Sequence, residues 1–394
     1  MSVTFPRGFR AGSVTAGSKP SGLPDLGLLV DPGTTAAGVF TTNLVSAVPI
    51  RLSRARLASG SPRAVLVNSG QANAATGARG DALTATASAA VALGLASAEV
   101  LPCSTGVIGE PLHLPELDAA LPALVDALST EGGEDSARAI MTTDSVDKRA
   151  TGEVDGIRVG GCAKGVGMIA PNLATMLVFV TTDAAVSAPD LPADDPGAAG
   201  PAVQRAVGGR LDEHERHRAA ARERRRGGSA DGTGSFVWAR LAEAVASVGE
   251  SLLRQPAADA EGASHVLIVE VEGADAEADA RAIAKAVADS PLVKTAAFGG
   301  DPNPGRILQA AGAAGVGFDV GSLDVFIGDV QVAEGGVVPP SYFDDDALIE
   351  KARAQMGAPE IAIRATVGDG PGWSRAMGCD LSYEYIRING EHTT

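Results

Sequence analysis

A layered α/β fold is what this sequence predicts, on three observations. Arg63-Ala64-Val65-Leu66-Val67 is an apolar run of strand length, stopped by the turn formers Asn68-Ser69-Gly70 and followed by an alanine-rich stretch, Asp81 to Leu95, of high helix propensity. The same order returns in the C-terminal half, where the strand Val266 to Val271 precedes a helix from Ala278 to Asp289. The interior is rich in small aliphatic side chains, for the 394 residues are 45% hydrophobic but only 4% aromatic. Strand, turn and helix in alternation place helices on sheets, and a chain of this length exceeds one small core, so two lobes are expected.

Taken in order, Pro24 to Asn43 is loop and short strand. After the Asp81–Leu95 helix, Val100-Leu101-Pro102-Cys103 approaches a small polar loop, Ser104-Thr105-Gly106. Such a Thr-Gly pair can turn a hydroxyl and a backbone N–H toward one point, as oxyanion stabilisation requires, although an ordinary turn uses the same residues. Leu117, Leu121, Leu124 and Leu128 recur at helical spacing and face a core. Met141-Thr142-Thr143-Asp144 follows a short helical piece, where threonines commonly cap or turn the chain. Ile157 to Gly160 is a strand leading to the glycine loop Gly161-Cys162-Ala163-Lys164-Gly165. The phosphate-loop spacing is absent there, which excludes that mode of nucleotide binding. Leu241, Val245, Val248 and Leu252 mark an amphipathic helix; Asp324 to Val332 and Glu360 to Thr366 alternate as strands.

Composition narrows the function. A formal charge of −16 argues against a nucleic-acid scaffold, which needs a basic face, whereas small anionic substrates need only local lysines. Cys103, Cys162 and Cys379 lie far apart, form no metal-ligand spacing and leave at least one thiol unpaired, so a reducing cytoplasm is expected. Met1 to Ser13 lacks an apolar core of signal-peptide length, and no later segment is apolar for long enough to span a bilayer, so neither export nor membrane attachment is expected.

The most informative stretch runs from Lys164 to Asp183. A glycine loop with one lysine passes into Pro171-Asn172, then Ala174-Thr175, then an apolar run of strand length closed by Thr181-Thr182-Asp183. A threonine at the mouth of a strand can attack the carbonyl of the residue before it. Once freed, its α-amino group, with a reference pKa of about 7.7–8.0, can act as base for its own hydroxyl. An ordinary loop and core strand has the same spacing.

The run Lys164-Gly165-Val166-Gly167-Met168-Ile169, Pro171-Asn172 and Ala174-Thr175-Met176-Leu177 resembles the self-processing segment of the ornithine acetyltransferase (glutamate N-acetyltransferase) family. Gly38 to Asn43, Asn68 to Asn73, Ser104 to Gly109, Met141 to Asp144, Ser290 to Ala296 and the final Thr393-Thr394 match as well, so the resemblance covers nearly the whole chain. It implies an αββα sandwich, cleavage between Ala174 and Thr175 into an α chain (1–174) and a β chain (175–394), and an α2β2 heterotetramer. It further implies Thr175 as nucleophile, Thr105 and Gly106 as oxyanion hole, and Thr143 or Thr142, Lys164, Thr175, Glu261, Asn389 and Thr394 as substrate ligands. Of the two threonines Thr143 is favoured. The implied reaction moves acetyl from N-acetylornithine to glutamate through acetyl-Thr175 in the cyclic route of arginine biosynthesis, with no metal or organic cofactor; use of acetyl-CoA as a second donor is left open. A related self-processing aminopeptidase shares the same nucleophile logic. One departure is Pro304, where the family usually has Trp after the residue matching Asn303.

One block breaks the pattern. Pro189 to Gly228 is first rich in Pro, Ala and Gly, then densely charged, ending in Arg222-Glu223-Arg224-Arg225-Arg226. The plain interpretation is a solvated charged helix on a linker. Near this position the family carries V-D-G-x-x-S-T-N-D-T and then an apolar L-L-A strand. Written in GC-rich codons and shifted by one base, Arg205 to Arg218 permits A-L-S-V-D-G-W-T-S-T-N-D-T. Residues 191–228 are therefore an expected out-of-frame translation between two compensating frameshifts, and an inactive homologue is the alternative should the lesion be genuine. Resequencing the gene across this block is expected to reveal the two compensating shifts; confirmation of the printed frame would remove the idea.

Overall fold

The computed structural model describes residues 1–31, 33, 35–41, 43–77, 82–165, 176–185, 233–259 and 262–391. They fall into two compact units, one built from 1–165 and 176–253 and the other from 254–391.

In the first unit, β1 (Arg10–Val14) and β2 (Leu26–Val30) precede α1 (Val48–Ser59), β3 (Ala64–Gln71), α2 (Ala82–Leu93), β4 (Val100–Val107), α3 (Leu114–Asp126) and α4 (Gly133–Ala139). Next come β5 (Lys148–Val154), β6 (Ile157–Lys164), β7 (Leu177–Thr182) and α5 (Thr233–Ala258). One sheet has the order β1-β2-β3-β4, with β3 and β4 parallel; the other has the order β5-β6-β7 and is antiparallel. The β5–β6 turn is Asp155-Gly156, both at positive φ (51° and 80°), the geometry a tight two-residue hairpin needs.

Alternation along the strands sorts the side chains into layers. Leu26, Leu28, Ala64 and Leu66 pack with Ala89 and Ala90 of α2 and with Leu117, Leu121 and Leu124 of α3. From the opposite face of the same sheet, Leu29, Val65 and Val67 meet Cys162, Leu177 and Phe179 of the second sheet. That sheet turns Val159 and Ala163 outward onto Leu241, Ala244, Val248 and Leu252 of α5. The first unit is thus helix, sheet, sheet, helix, and the expected layering holds within it.

The second unit contains β8 (Val266–Ala274), α6 (Glu277–Asp289), α7 (Pro291–Phe298), α8 (Pro304–Gly312), β9 (Asp324–Ile327) and β10 (Val330–Ala333). It continues with α9 (Pro340–Asp344), α10 (Asp346–Met356), β11 (Glu360–Thr366), β12 (Gly372–Cys379) and α11 (Tyr383–Glu391). Its sheet order is β10-β9-β11-β8-β12. Leu267, Val269 and Val271 face the core with Ile283, Ala284 and Val287 of α6. Glu270 alternates to the other face and accepts from Arg375 Nε at 2.8 Å.

Several sequence expectations shift in detail. The polar Asn68-Ser69-Gly70 does not end β3, and Thr105-Gly106 is no loop: both lie inside paired parallel strands, Ser69 opposite Thr105 and Gly70 opposite Gly106. Buried polar residues are tolerated in these strands because they have partners; Asn68 Nδ2, for example, donates to Gln71 O at 2.9 Å. Likewise Lys164 is the last residue of β6 and not part of a glycine loop. Asp324 to Val332 is two strands, since Gly328 at φ 58° turns the chain between β9 and β10. Leu128 lies past the end of α3 but still packs on its core. The tail from Tyr385 to Asn389 is helical. Pro304 is well placed at the first position of α8, behind an Asn303 cap whose side chain accepts from Arg306 N, because proline lacks only an N–H that the first helical turn leaves unused.

Leu124 has no exposed surface, and Leu124→Ala is expected to cost about 2–5 kcal/mol, measured as a lowered urea midpoint.

Candidate functional site

The chemistry-bearing residues of the first unit gather where β3, β4 and β6 end. Gly106 has φ 128°, and a Cβ there would lie 2.2 Å from Gly70 O; Gly70 at φ 123° would in turn place a Cβ 2.5 Å from Ser18 O. Three backbone segments therefore touch at positions only glycine can occupy. Thr105 is buried beside them. The Ser18–Lys19 loop is held by Asp25, whose carboxylate accepts from the backbone N–H groups of Ala16, Ser18 and Lys19.

Lys19 links this loop to the next segment, since its Nζ donates to Pro24 O at 2.7 Å and to Ala139 O at 3.1 Å. Ser69 Oγ donates to the same Ala139 carbonyl. Burial pushes the Lys19 ammonium down to about 8, against the pull of Asp25 and Asp144 and with the help of Lys164.

Beyond Ala139 lies Met141-Thr142-Thr143-Asp144. Lys164 Nζ donates to Thr142 Oγ1 at 2.8 Å. Asp144 accepts from Lys148 Nζ at 2.5 Å, from Gly165 N at 3.0 Å and from Thr142 N at 3.0 Å. Burial alone would raise the Asp144 carboxyl; the Lys148 charge and hydrogen bond, with those from Gly165 and Thr142, hold it below the usual carboxylate range. Lys164 is opposite Leu177 in the β6–β7 register, on the face turned to the first sheet.

Thr105, Gly106, Thr142, Thr143 and Lys164 are therefore all placed in the first unit, and the contacts bring Thr142, not Thr143, to Lys164. Ala174, Thr175, Glu261 and Thr394 lie outside the described residues; Asn389 belongs to α11. In the second unit, Ser264 N donates to Asp380 at 2.8 Å, His265 Nδ1 lies 2.9 Å from Asp380, and Ser382 Oγ donates to Gly262 O at 2.5 Å. The chain just after Glu261 is thereby tied to the start of α11, which carries Asn389.

Sequence reasoning missed Lys19, Asp144 and Lys148 as parts of the site. Lys19 stands in a run of small residues with nothing to mark it, and in the sequence Asp144 is only the end of a motif. Ser18 Oγ, Gln71 Oε1 and Asn73 Nδ2 are also buried without a hydrogen-bond partner among the described residues, a polar lining no periodicity reveals. No cluster of metal-ligating side chains occurs among the described residues, nor is any helix among them long and apolar enough to cross a membrane. Cys103, Cys162 and Cys379 are not joined to one another by disulfides.

Two stacked sheets with helices outside define a layered α/β protein. The sequence profile of the ArgJ family matches residues 10–196 and 219–394. The chain belongs to the ArgJ family. It is 43% identical to the arginine biosynthesis bifunctional protein ArgJ of Thermosynechococcus vestitus, over 100% of this chain and 98% of that protein. It is 41% identical to the protein of the same name from Symbiobacterium thermophilum, again over 100% and 98%. Among solved structures, ornithine acetyltransferase from Mycobacterium tuberculosis complexed with ornithine is 42% identical, with a TM-score of 0.42, covering 45% of this chain and 96% of that one.

Lys19 generates a pH prediction. Its folded pKa of about 8 lies below the ordinary 10.5, so between these values the folded state has released a proton that the unfolded chain still holds. Stability gains an upward slope with pH in that window and none below it. Urea midpoints measured from pH 7 to 10 are expected to show this slope in the wild type and to lose it in Lys19→Met.

Proposed function

We propose that this chain is a self-cleaving glutamate N-acetyltransferase of arginine biosynthesis. The observation that carries the proposal is similarity along the full chain to bifunctional ArgJ proteins, in a sequence that retains the Ala174-Thr175 junction and its flanking motif.

In the proposed maturation, the Thr175 hydroxyl attacks the Ala174 carbonyl carbon. The C–N bond breaks, the departing nitrogen takes a proton, and water hydrolyses the resulting ester. The α chain then ends at Ala174 and the β chain begins at Thr175, its new amine positioned as general base. The pairing of β6 with β7 supports continued association of the two chains, because these strands lie on opposite sides of the cleaved bond.

In the transfer itself, the Thr175 hydroxyl attacks the acetyl carbonyl of N-acetylornithine. Thr105 and Gly106 stabilise the oxyanion, and ornithine leaves as its amine takes up the proton. The amine of glutamate then attacks acetyl-Thr175, which restores the hydroxyl. Lys164, with Thr142 or Thr143, suits the carboxylate of an amino-acid substrate. Glu261, Asn389 and Thr394 complete the substrate set. The chemistry needs neither metal nor organic cofactor. Acetyl-CoA is a candidate second acetyl donor, in keeping with relatives named bifunctional. An α2β2 assembly in the cytoplasm completes the proposal. The names of the relatives favour this reading over a peptide-cleaving one.

Mass spectrometry of the purified protein is expected to show two fragments that divide before Thr175, and Thr175→Ala a single intact chain without acetyl transfer. An uncleaved wild type would overturn the reading.

A further inference from the structure

We infer that Asp144 is a positioning residue: its buried carboxylate, neutralised by Lys148, locks Thr142 and Gly165 in register and thereby aims the Lys164 ammonium. The bonds form a closed circuit. Asp144 Oδ2 takes Thr142 N at 3.0 Å and Oδ1 takes Gly165 N at 3.0 Å, while Lys164 Nζ donates to Thr142 Oγ1 at 2.8 Å. Thr142 and Lys164 come from segments 22 residues apart, and the carboxylate is a bridge between their backbones. Both oxygens are engaged, and neither the Asp144 nor the Lys148 side chain has exposed surface.

A lysine stem is long and flexible, so the groups that hold its root and meet its tip decide where the ammonium sits. Here the same carboxylate holds the backbone at its root, through Gly165 N, and the backbone of the residue whose hydroxyl meets its tip, through Thr142 N. Lys148, at the first position of β5, supplies the charge that permits a carboxylate in a site closed to water. Neither residue needs to touch substrate. The catalytic consequence rests on the reading of Lys164 as a substrate-carboxylate ligand; the positioning itself does not.

The test uses the full-length protein. Asp144→Asn alone strands a buried ammonium and risks misfolding, so the informative variant is the double change Asp144→Asn with Lys148→Met, which removes both charges. Thermal melts establish that it folds. The first readout is the rate at which an amine-reactive acylating reagent modifies Lys164, followed by peptide mass spectrometry. A rise of about tenfold or more is expected, with exposed Lys351 modified at an unchanged rate; an unchanged Lys164 rate in the folded variant overturns the inference. The second readout is a cycle with Lys164→Met. The double change is expected to raise KM for acetylornithine about tenfold with kcat within about threefold, yet to alter KM less than twofold when Lys164 is already Met. Equal KM effects in both backgrounds would overturn positioning through Lys164. If Lys164→Met leaves KM unaltered while labelling still accelerates, positioning stands and the substrate role of Lys164 falls.

Discussion

A carboxylate and an ammonium with no exposed surface, Asp144 and Lys148, are the constraint around which the candidate site is arranged. Taking both charges out of water costs several kcal/mol per ion, and their attraction repays this only when the remaining valences are also satisfied. The two further N–H donors, from Thr142 and Gly165, meet that condition. Breaking such a pair from one side typically costs roughly 3–5 kcal/mol, whereas apolar replacement of both partners is often neutral. Net stability is therefore a poor account of why the pair is there. What it does is carry the connection between β6 and β5 past the Lys148–Ala163 end of their ladder, to Gly165 on one side and to the Thr142 turn before β5 on the other.

The layers explain why this connection falls where it does. Each sheet of the first unit packs on helices with its outer face and on the other sheet with its inner face. Buried polar side chains gather in the last residues of the strands and just beyond them. Parallel β3 and β4 end together at Gln71 and Val107, and β6 ends at Lys164. At that margin Gly70 and Gly106 permit backbones to approach more closely than any side chain would allow. Asp25 and Lys19 then hold the N-terminal loop against the same margin, to the Ala139 carbonyl. The aliphatic, aromatic-poor interior thus has a structural counterpart: small side chains stack the layers closely and leave the chemistry to the strand ends.

How legible was this in the sequence? The α/β class followed from strand-length apolar runs alternating with helical periodicities, and Leu117, Leu121, Leu124, Leu241, Val248 and Leu252 are buried as their spacing requires. Family motifs supplied what periodicity could not, namely the particular threonines and lysine. Strand ends were harder. Asn68-Ser69-Gly70 and Ser104-Thr105-Gly106 have turn composition, and pairing with each other, with β2 joining at Asn68, keeps them extended, a tertiary effect invisible to local propensity. The Asp144 circuit was harder still, because its members lie at 142, 144, 148, 164 and 165 and meet only once the second sheet has formed. Lys19 is bound to two carbonyls, and no local pattern announces such a contact.

The anomalous block can be weighed against the same layers. The family profile leaves 197–218 unmatched, inside residues 191–228. On either side of it, β7 and α5 are both in place on β6. On the face that looks to the first sheet, Leu177 and Phe179 of β7 are packed; on the face shared with α5, Val178 and Val180 remain 36% and 42% exposed. An out-of-frame segment at 191–228 would replace an expected apolar strand with arginine-rich chain next in sequence after β7. The apolar surface left uncovered is then on the outer side of that strand. The inner side, which carries the register with Lys164, has its own core and depends on neither Val178 nor Val180. A lesion in the block would therefore act first on the stability and outer cover of β7, and only through them on the proposed nucleophile two residues upstream of Leu177.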